Sequence, residues 1–376
     1  MGAFSPQLRP AIEAIGLRTA AREDLADSFP GLLFAIGTGY GTAAGRQTAL
    51  AAVDAGCPLR EAADRLGLPF WLRKLPAQAF QAPLTLVPAE PTLVNRLLSL
   101  VPAQPSATAA WLQRVLIAYH TGRPELALWV AQNYRAAAPS AISVPFLRTL
   151  AWAWFAGQTG SRGAELLVSR WTPALGPSRA AGEAALWRER IALDVCLGPG
   201  LADSWLASGR GGDYDIVALT TADDFFAEAK AMDNCLDRFA DRLMRGTVRV
   251  FSMRRAGRPV ANVEVSTHHQ EIGMPAITQL RAARNRPASP EIWQAAYAWL
   301  GGQPLRKAEA GMTAKVSGAE RRRRLERVWQ PFLDALPADP RHALAASVFP
   351  AARASRQRKI PASSPVDTQT EGLESA

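Results

Sequence analysis

Residues 231–300 read AMDNCLDRFADRLMRGTVRVFSMRRAGRPVANVEVSTHHQEIGMPAITQLRAARNRPASPEIWQAAYAWL, and they decide the fold of the C-terminal half. Apolar and polar side chains alternate over residues 247–253 and 260–266, on either side of a Gly- and Pro-containing turn, which predicts a β-hairpin. Residues 276–280 predict a third strand, and helices precede and follow the sheet. The pattern therefore indicates a small α+β unit with an antiparallel sheet.

The pairing within this hairpin follows from the position of its turn. A turn at residues 256–257 would place Val250 opposite Val263 and Arg249 opposite Glu264. The predicted apolar face then carries Val248, Val250, Ala261, Val263 and Val265. The predicted polar face carries Arg249, Phe251, Asn262 and Glu264.

A single long helix is predicted before the hairpin. Residues 221–224 (TADD) form a capping sequence, and Gly246 is placed to end the helix. The apolar stripe follows spacings of four and three through Phe225, Ala229, Met232, Leu236, Phe239 and Leu243.

The N-terminal half reads as helices separated by Pro and Gly, with a helical hairpin over residues 111–138 and a buried helix over 144–155. The sequence GRGGD, residues 209–213, marks the best internal boundary. The fold class is therefore mainly α with a small α+β domain. The predicted units are a helical domain (1–212), an α+β domain (213–305), a basic helical extension (306–350) and a disordered tail (351–376).

The composition bounds the class of protein. The chain has 376 residues, of which 48% are hydrophobic and 11 are Trp, so it can form more than one packed core. Its three Cys form no C-x-x-C pair, and no signal peptide or run of about 18 apolar residues occurs, which predicts a cytoplasmic protein without a membrane partner. Adjacent His268 and His269 would point to opposite faces of a strand, so no metal site is predicted.

A glycine-rich motif at residues 37–45 (GTGYGTAAG) resembles a dinucleotide-binding loop. The residues that follow, 57–66, are helical in pattern and supply no acidic strand end, so no cofactor is predicted. Close packing of helices explains the glycines better.

Several residues of the α+β unit occur in an order typical of one bacterial family. They are Asn234-Cys235, Gly246, Phe251-Ser252, Arg258-Pro259-Val260-Ala261, Glu264, Gln279, Arg281 and Asn285. On them, residues 215–305 resemble the PcfJ-like family, whose members occur on conjugative and other mobile elements. The resemblance implies a mobile-element role but no known reaction. Many members carry His where this chain has Asn234, and Asn cannot titrate.

Two groups of candidate site residues follow from these patterns. The catalytic candidates are Asn234, Cys235, Glu264, Gln279 and Asn285, which would share a polar pocket on the hairpin. A simpler interpretation makes Cys235 a core thiol and Glu264 the ion-pair partner of Arg249. The nucleic-acid-binding candidates are Arg281, Arg284, Arg321, Arg322, Arg323, Arg324, Arg353, Arg356, Arg358 and Lys359.

Charge favours nucleic acid as the partner, without distinguishing DNA from RNA. Residues 301–360 hold 13 Lys/Arg against 5 Asp/Glu, and this +8 is most of the chain's net charge of +10. A PcfJ-like protein that engages nucleic acid through its basic C-terminal region is the leading hypothesis. The alternatives are an enzyme with its site at Asn234, Glu264 and Gln279, and a scaffold that binds a protein through the helical half.

Overall fold

The structure is a computed structural model, and it describes residues 2–134, 142–198, 200–201, 203–267, 273–304 and 318–349. The predicted fold class is confirmed, because helices dominate these described residues and one antiparallel sheet is present among them. The α-helices of the first part are α1 (Arg9–Gly16), α2 (Ala20–Ser28), α3 (Pro30–Gly37), α4 (Ala43–Asp54), α5 (Leu59–Leu66), α6 (Pro91–Leu98), α7 (Pro105–His120), α8 (Pro124–Asn133), α9 (Val144–Phe155), α10 (Arg162–Glu165) and α11 (Pro177–Leu197). Those that follow are α12 (Ala222–Met232), α13 (Ala240–Met244), α14 (Pro290–Gly301), α15 (Gly318–Asp334) and α16 (Ala338–Val348).

The two C-terminal helices α15 and α16 belong to the same core as α1–α11. Trp329 of α15 packs on Trp187 of α11 with ring centroids 5.1 Å apart, and Phe332 packs on Trp154 of α9 at 5.6 Å. Phe332 is fully buried. The basic segment 318–334 is thus a helix that packs on the core through one of its faces. The predicted tail 351–376 lies outside the described residues.

The sheet has five antiparallel strands in the order of the chain. They are β1 (Gly209–Gly211), β2 (Tyr214–Ala218), β3 (Val248–Arg255), β4 (Arg258–Ser266) and β5 (Ala276–Ala282). The predicted hairpin and third strand are present, and β1 and β2 extend the sheet beyond the three strands predicted. The GRGGD sequence contributes β1 and the tight turn after it, so the predicted boundary at residue 212 falls inside a hairpin.

The predicted register of the β3–β4 hairpin is wrong by one residue. The two-residue turn is where it was predicted, with Arg255 opposite Arg258, but a bulge between Met253 and Arg254 shifts every later pair. Val260 is the extra residue of this bulge, directly after Pro259, which has no backbone N–H for the ladder. A one-residue slip moves side chains to the opposite face.

The slip changes which residues share a face. Val250 lies opposite Glu264, and Ser252 lies opposite Asn262, so apolar and polar side chains share the face beneath α12 and α13. Phe251 and Val263 lie on the other face, where Phe251 packs on Trp299 of α14 at 4.8 Å.

The predicted Arg249–Glu264 ion pair is also wrong, because the two side chains lie on opposite faces. Arg249 is buried, and its Nε donates to the carbonyl oxygen of Asp203 at 2.6 Å. Its guanidinium stacks 4.1 Å from the ring centroid of Trp205. Burial lowers the pKa of Arg249 to about 10.

The predicted long helix before the hairpin is interrupted. The capping box at Thr221 and Asp224 starts α12 as predicted. The helix ends at Asp233, whose left-handed conformation (φ 49°) caps it, and the chain continues through a 3-10 turn (Leu236–Arg238) into α13. Asn234 Oδ1 accepts the backbone N–H of Leu236 at 3.2 Å, which replaces a helical hydrogen bond. This break carries residues 234 and 235 toward the sheet.

The glycine-rich motif near residue 40 joins α3 to α4, so no strand precedes it. The Arg46 guanidinium donates to the carbonyls of Gly39 and Gly41, both at 2.9 Å. A Cβ added to Gly45 would lie 3.2 Å from the carbonyl oxygen of Arg65, so α4 and α5 approach closely there. A Rossmann unit has a strand directly before its glycines. In this described segment a helix, α3, occupies that place.

Candidate functional site

A small cleft opens between the α12–α13 turn, strands β3, β4 and β5, and the loop after β5. Its cavity has a volume of about 30 Å³. The lining residues are Asn234, Cys235, Leu236, Phe239, Val250, Asn262, Glu264, Gln279, Arg281 and Asn285. All five catalytic candidates and one of the nucleic-acid candidates, Arg281, therefore meet in one place.

A chain of hydrogen bonds runs through the base of the cleft. Asn234 Nδ2 donates to Asn262 Oδ1 at 2.7 Å, and Asn262 Nδ2 donates to Glu228 Oε1 at 2.6 Å. Glu228 projects from α12 and is 2% exposed, and its Oε2 lies 3.7 Å from the guanidinium of Arg254. The two carboxamides are consequently held in fixed orientations.

Glu264 is held by a separate set of contacts. Arg242 of α13 binds it through two nitrogens, NH1 to Oε2 at 2.5 Å and NH2 to Oε1 at 2.6 Å, in the paired geometry typical of guanidinium and carboxylate. Thr278 Oγ1 donates to Oε1 at 3.0 Å, and a bulge after Glu264 in the β4–β5 ladder sets the position of Thr278. Both oxygens of this buried carboxylate are therefore occupied, and the pair contributes little net charge to the cavity.

The loop after β5 forms one rim of the cleft, and its backbone is strained. Arg284 and Asn285 are consecutive left-handed residues (φ 58° and 56°), a conformation that residues other than Gly, Asn and Asp rarely adopt, so the strain lies mainly at Arg284. Asn285 Nδ2 lies 3.9 Å from Cys235 Sγ across the cavity. Arg284 Nε lies 3.1 Å from Asp233 Oδ2, which joins this loop to the α12–α13 turn. Strain of this kind is concentrated at functional sites in proteins.

Arg281 is the free cation of this rim. It stands opposite Asn262 in the β4–β5 ladder, so its side chain projects on the cleft face of the sheet. Its guanidinium has no hydrogen-bond or ion-pair partner among the residues that the structure describes. Arg242 and Arg284, by contrast, are each paired with a carboxylate.

The C-terminal arginine candidates have a different environment. Arg321 NH2 contacts Met244 Sδ at 3.6 Å, and Arg324 lies against Gly198. Glu320 forms ion pairs with both Arg323 and Arg324, and Glu326 pairs with Arg322. The helix thus balances part of its own charge. Arg353, Arg356, Arg358 and Lys359 lie outside the described residues.

Two residues that shape the cleft, Glu228 and Arg242, were not among the candidates, whereas Asn262 was predicted to line the polar face of the hairpin with Glu264. Asn262 and Glu264 alternate on one strand, so the polar pattern of β4 was a usable signal for Asn262. Glu228 and Arg242 lie on helices that pack on the sheet, and nothing in their local pattern marks them as buried or paired. Their roles depend on the break after α12, which the stripe of apolar residues does not reveal.

Other kinds of site find little support within the described part of the chain. No group of three or more His, Cys, Asp or Glu side chains there could hold a metal ion, and His268 and His269 are not described. A larger cavity of about 530 Å³ lies between α7 and the start of α16, but none of the candidate residues lines it. Among the described helices, none combines the length and apolar character needed to span a bilayer.

Comparisons with models of known protein families, with curated proteins and with solved structures find no match. The geometry of the cleft therefore carries the functional argument by itself.

Proposed function

We propose that the protein binds nucleic acid at the cleft, with the arginine-containing loop after β5 in contact with the phosphate backbone. The observation that carries the proposal is Arg281, a free and exposed guanidinium at the mouth of a cavity lined by carboxamides. Phosphate oxygens accept hydrogen bonds from Arg and Asn side chains in most protein–nucleic acid interfaces. Glu264, the buried acid of the cavity, is neutralised by Arg242 and does not oppose an anion.

The cleft is a better candidate than the basic face of α15, which carries four of the ten binding candidates predicted from the sequence. Arg322 and Arg323 are exposed there, but each already has an acidic partner one turn away. A phosphate that approached them would compete with Glu326 and Glu320. At the cleft rim, Arg281 offers all its donors to a ligand, and Arg284 is held in place beside it by Asp233.

An oligonucleotide titration at several salt concentrations tests this assignment. Arg281→Ala is expected to weaken binding roughly tenfold and to reduce the slope of log K against log salt by about one, because one phosphate contact is lost. Arg322→Ala is the matched control, since it removes an exposed arginine that is paired within its own helix. Its affinity is expected to change by about twofold or less. A large effect at Arg322 with none at Arg281 would contradict the proposal.

The remaining expectations stay predictions. They are the relationship to PcfJ-like proteins of mobile elements, the cytoplasmic location, the alternative of an enzyme acting through Asn234, Glu264 and Gln279, and the alternative of a helical scaffold for a protein partner. The hydrogen-bonded state of Glu264 favours binding over catalysis, because both oxygens of this carboxylate already accept hydrogen bonds.

A further inference from the structure

The buried carboxylate of Glu228 determines which way the carboxamides of the cleft point. A carboxylate that faces Arg254 can only accept hydrogen bonds. The Asn262 atom that lies 2.6 Å from Glu228 must therefore be the nitrogen, and Asn262 Oδ1 is left to accept from Asn234 Nδ2. Glu228 is 2% exposed, so water does not compete for this contact. One buried acid thus sets the direction of two successive side chains.

Among the residues that the structure describes, this direction leaves amide hydrogens without a hydrogen-bond partner on residues that line the cavity. Asn234 Oδ1 accepts from the backbone N–H of Leu236, so the acceptor of this side chain is used and one hydrogen of its Nδ2 is free. Asn262 Nδ2 likewise donates one hydrogen to Glu228, and its second hydrogen has no partner in the described part of the chain. Asn285 directs its Nδ2 across the cavity toward Cys235, and Arg281 adds its guanidinium at the mouth.

The charged acceptor of the cavity is already engaged, and the half-buried carboxamide of Gln279 can present its nitrogen to a ligand. Both oxygens of Glu264 accept hydrogen bonds, from Arg242 and Thr278. The cavity consequently suits a group that only accepts hydrogen bonds and carries negative charge. A volume of about 30 Å³ has room for roughly two water-sized atoms, which is enough for two oxygens of a phosphate group and too small for a nucleobase.

We propose that the cavity is an oxyanion site that takes the oxygens of one phosphate group, and that Glu228 determines this specificity by orienting Asn262 and Asn234. The inference rests on the proposed function in locating the ligand at the cleft, and it adds the ligand chemistry and the residue that selects it. Glu228 does not touch the ligand, so it is a positioning residue. The phosphate could be free in solution or part of a nucleic acid strand, and the experiment has to separate these sources.

The test is a calorimetric titration of the full chain with inorganic phosphate, and in parallel with a 5′-phosphorylated oligonucleotide and its 5′-hydroxyl counterpart. Glu228→Gln is the central variant, because glutamine keeps the shape of the side chain but can donate as well as accept. Asn262 can then exchange the positions of its oxygen and its nitrogen, which removes the acceptor that orients Asn234 Nδ2. Phosphate affinity is expected to fall about tenfold or more, with the circular dichroism spectrum and cooperative unfolding retained.

Two further variants keep the result interpretable. Asp223→Asn removes an exposed carboxylate from the same helix, and its phosphate affinity is expected to equal that of the wild type. Asn234→Asp replaces a free donor by an acceptor at a half-buried position and is expected to abolish phosphate binding, even if Glu228→Gln fails to fold.

Each outcome has a distinct meaning. Unchanged phosphate affinity in folded Glu228→Gln, or in Asn234→Asp, would overturn the inference. Oligonucleotide binding by a wild-type protein that ignores inorganic phosphate and does not distinguish the 5′ ends would overturn the oxyanion site while leaving the proposed function standing. Phosphate binding without oligonucleotide binding would overturn the proposed function and leave the oxyanion site standing. The ligand of the site would then be free phosphate.

Discussion

Replacing Phe332 by alanine is expected to lower the free energy of unfolding by about 3–5 kcal/mol, the usual cost of truncating a fully buried aromatic side chain. Phe332 lies on α15 and contacts both Trp154 and Phe155 of α9, with ring centroids 5.6 and 6.4 Å away. The collapse of this contact would loosen α15 from the helical core. Denaturant unfolding followed by tryptophan fluorescence measures the change.

Phe349→Ala provides the matched control for this prediction. Phe349 is the same residue type in the same C-terminal segment, but it is only half-buried at the end of α16. Its truncation is expected to cost about 1 kcal/mol, in proportion to the apolar surface that it removes from contact. A cost below about 1 kcal/mol at Phe332 itself would show that α15 is an extension rather than part of the core.

Replacing Arg242 by alanine is expected to cost about 2 kcal/mol of stability and to abolish phosphate binding. The change leaves the buried carboxylate of Glu264 with Thr278 as its remaining partner, and loss of one member of a buried pair is strongly destabilising. The full penalty is reduced because the Arg242 side chain is 45% exposed and partly screened by water. An unpaired negative charge in the cavity would also repel the phosphate.

A double variant and a neighbouring arginine make this prediction specific. Arg242→Ala combined with Glu264→Gln is expected to be more stable than Arg242→Ala alone, because the second change removes the uncompensated charge. Arg238→Ala removes a half-exposed arginine from the preceding 3-10 turn and is expected to cost less than about 1 kcal/mol. Equal losses in stability at Arg238 and Arg242 would contradict the role assigned to the Arg242–Glu264 pair.

Sequence patterns predicted the central strands of the sheet but not the pairing between them. Alternation over residues 248–266 located both central strands and their two-residue turn. It did not locate the bulge at Val260, because a bulge keeps the local alternation on each side and changes only the pairing across strands. The polar residues of β4 were therefore predicted on the right strand, with Glu264 assigned to the wrong partner.

The proximity of the five catalytic candidates was predictable from the sequence, but the hydrogen bonds among them were not. Asn234, Cys235, Glu264, Gln279 and Asn285 all line the cleft. The hydrogen-bond direction among them depends on Glu228, which lies on a helix from another part of the chain. The break at Asp233 was also hidden, because the apolar stripe continues across it through Leu236 and Leu243.

We propose that the carboxamide donors of the cleft bind a phosphate group of nucleic acid. The most direct measurement follows the side-chain NH₂ resonances of Asn234, Asn262 and Asn285 by NMR during titration with a phosphorylated oligonucleotide. We expect these resonances to shift together and to saturate with the affinity measured by calorimetry, and to require roughly tenfold more ligand for the same shift when Arg281 is alanine. Saturable oligonucleotide binding that leaves the three carboxamide resonances unmoved in the wild-type protein would contradict the account.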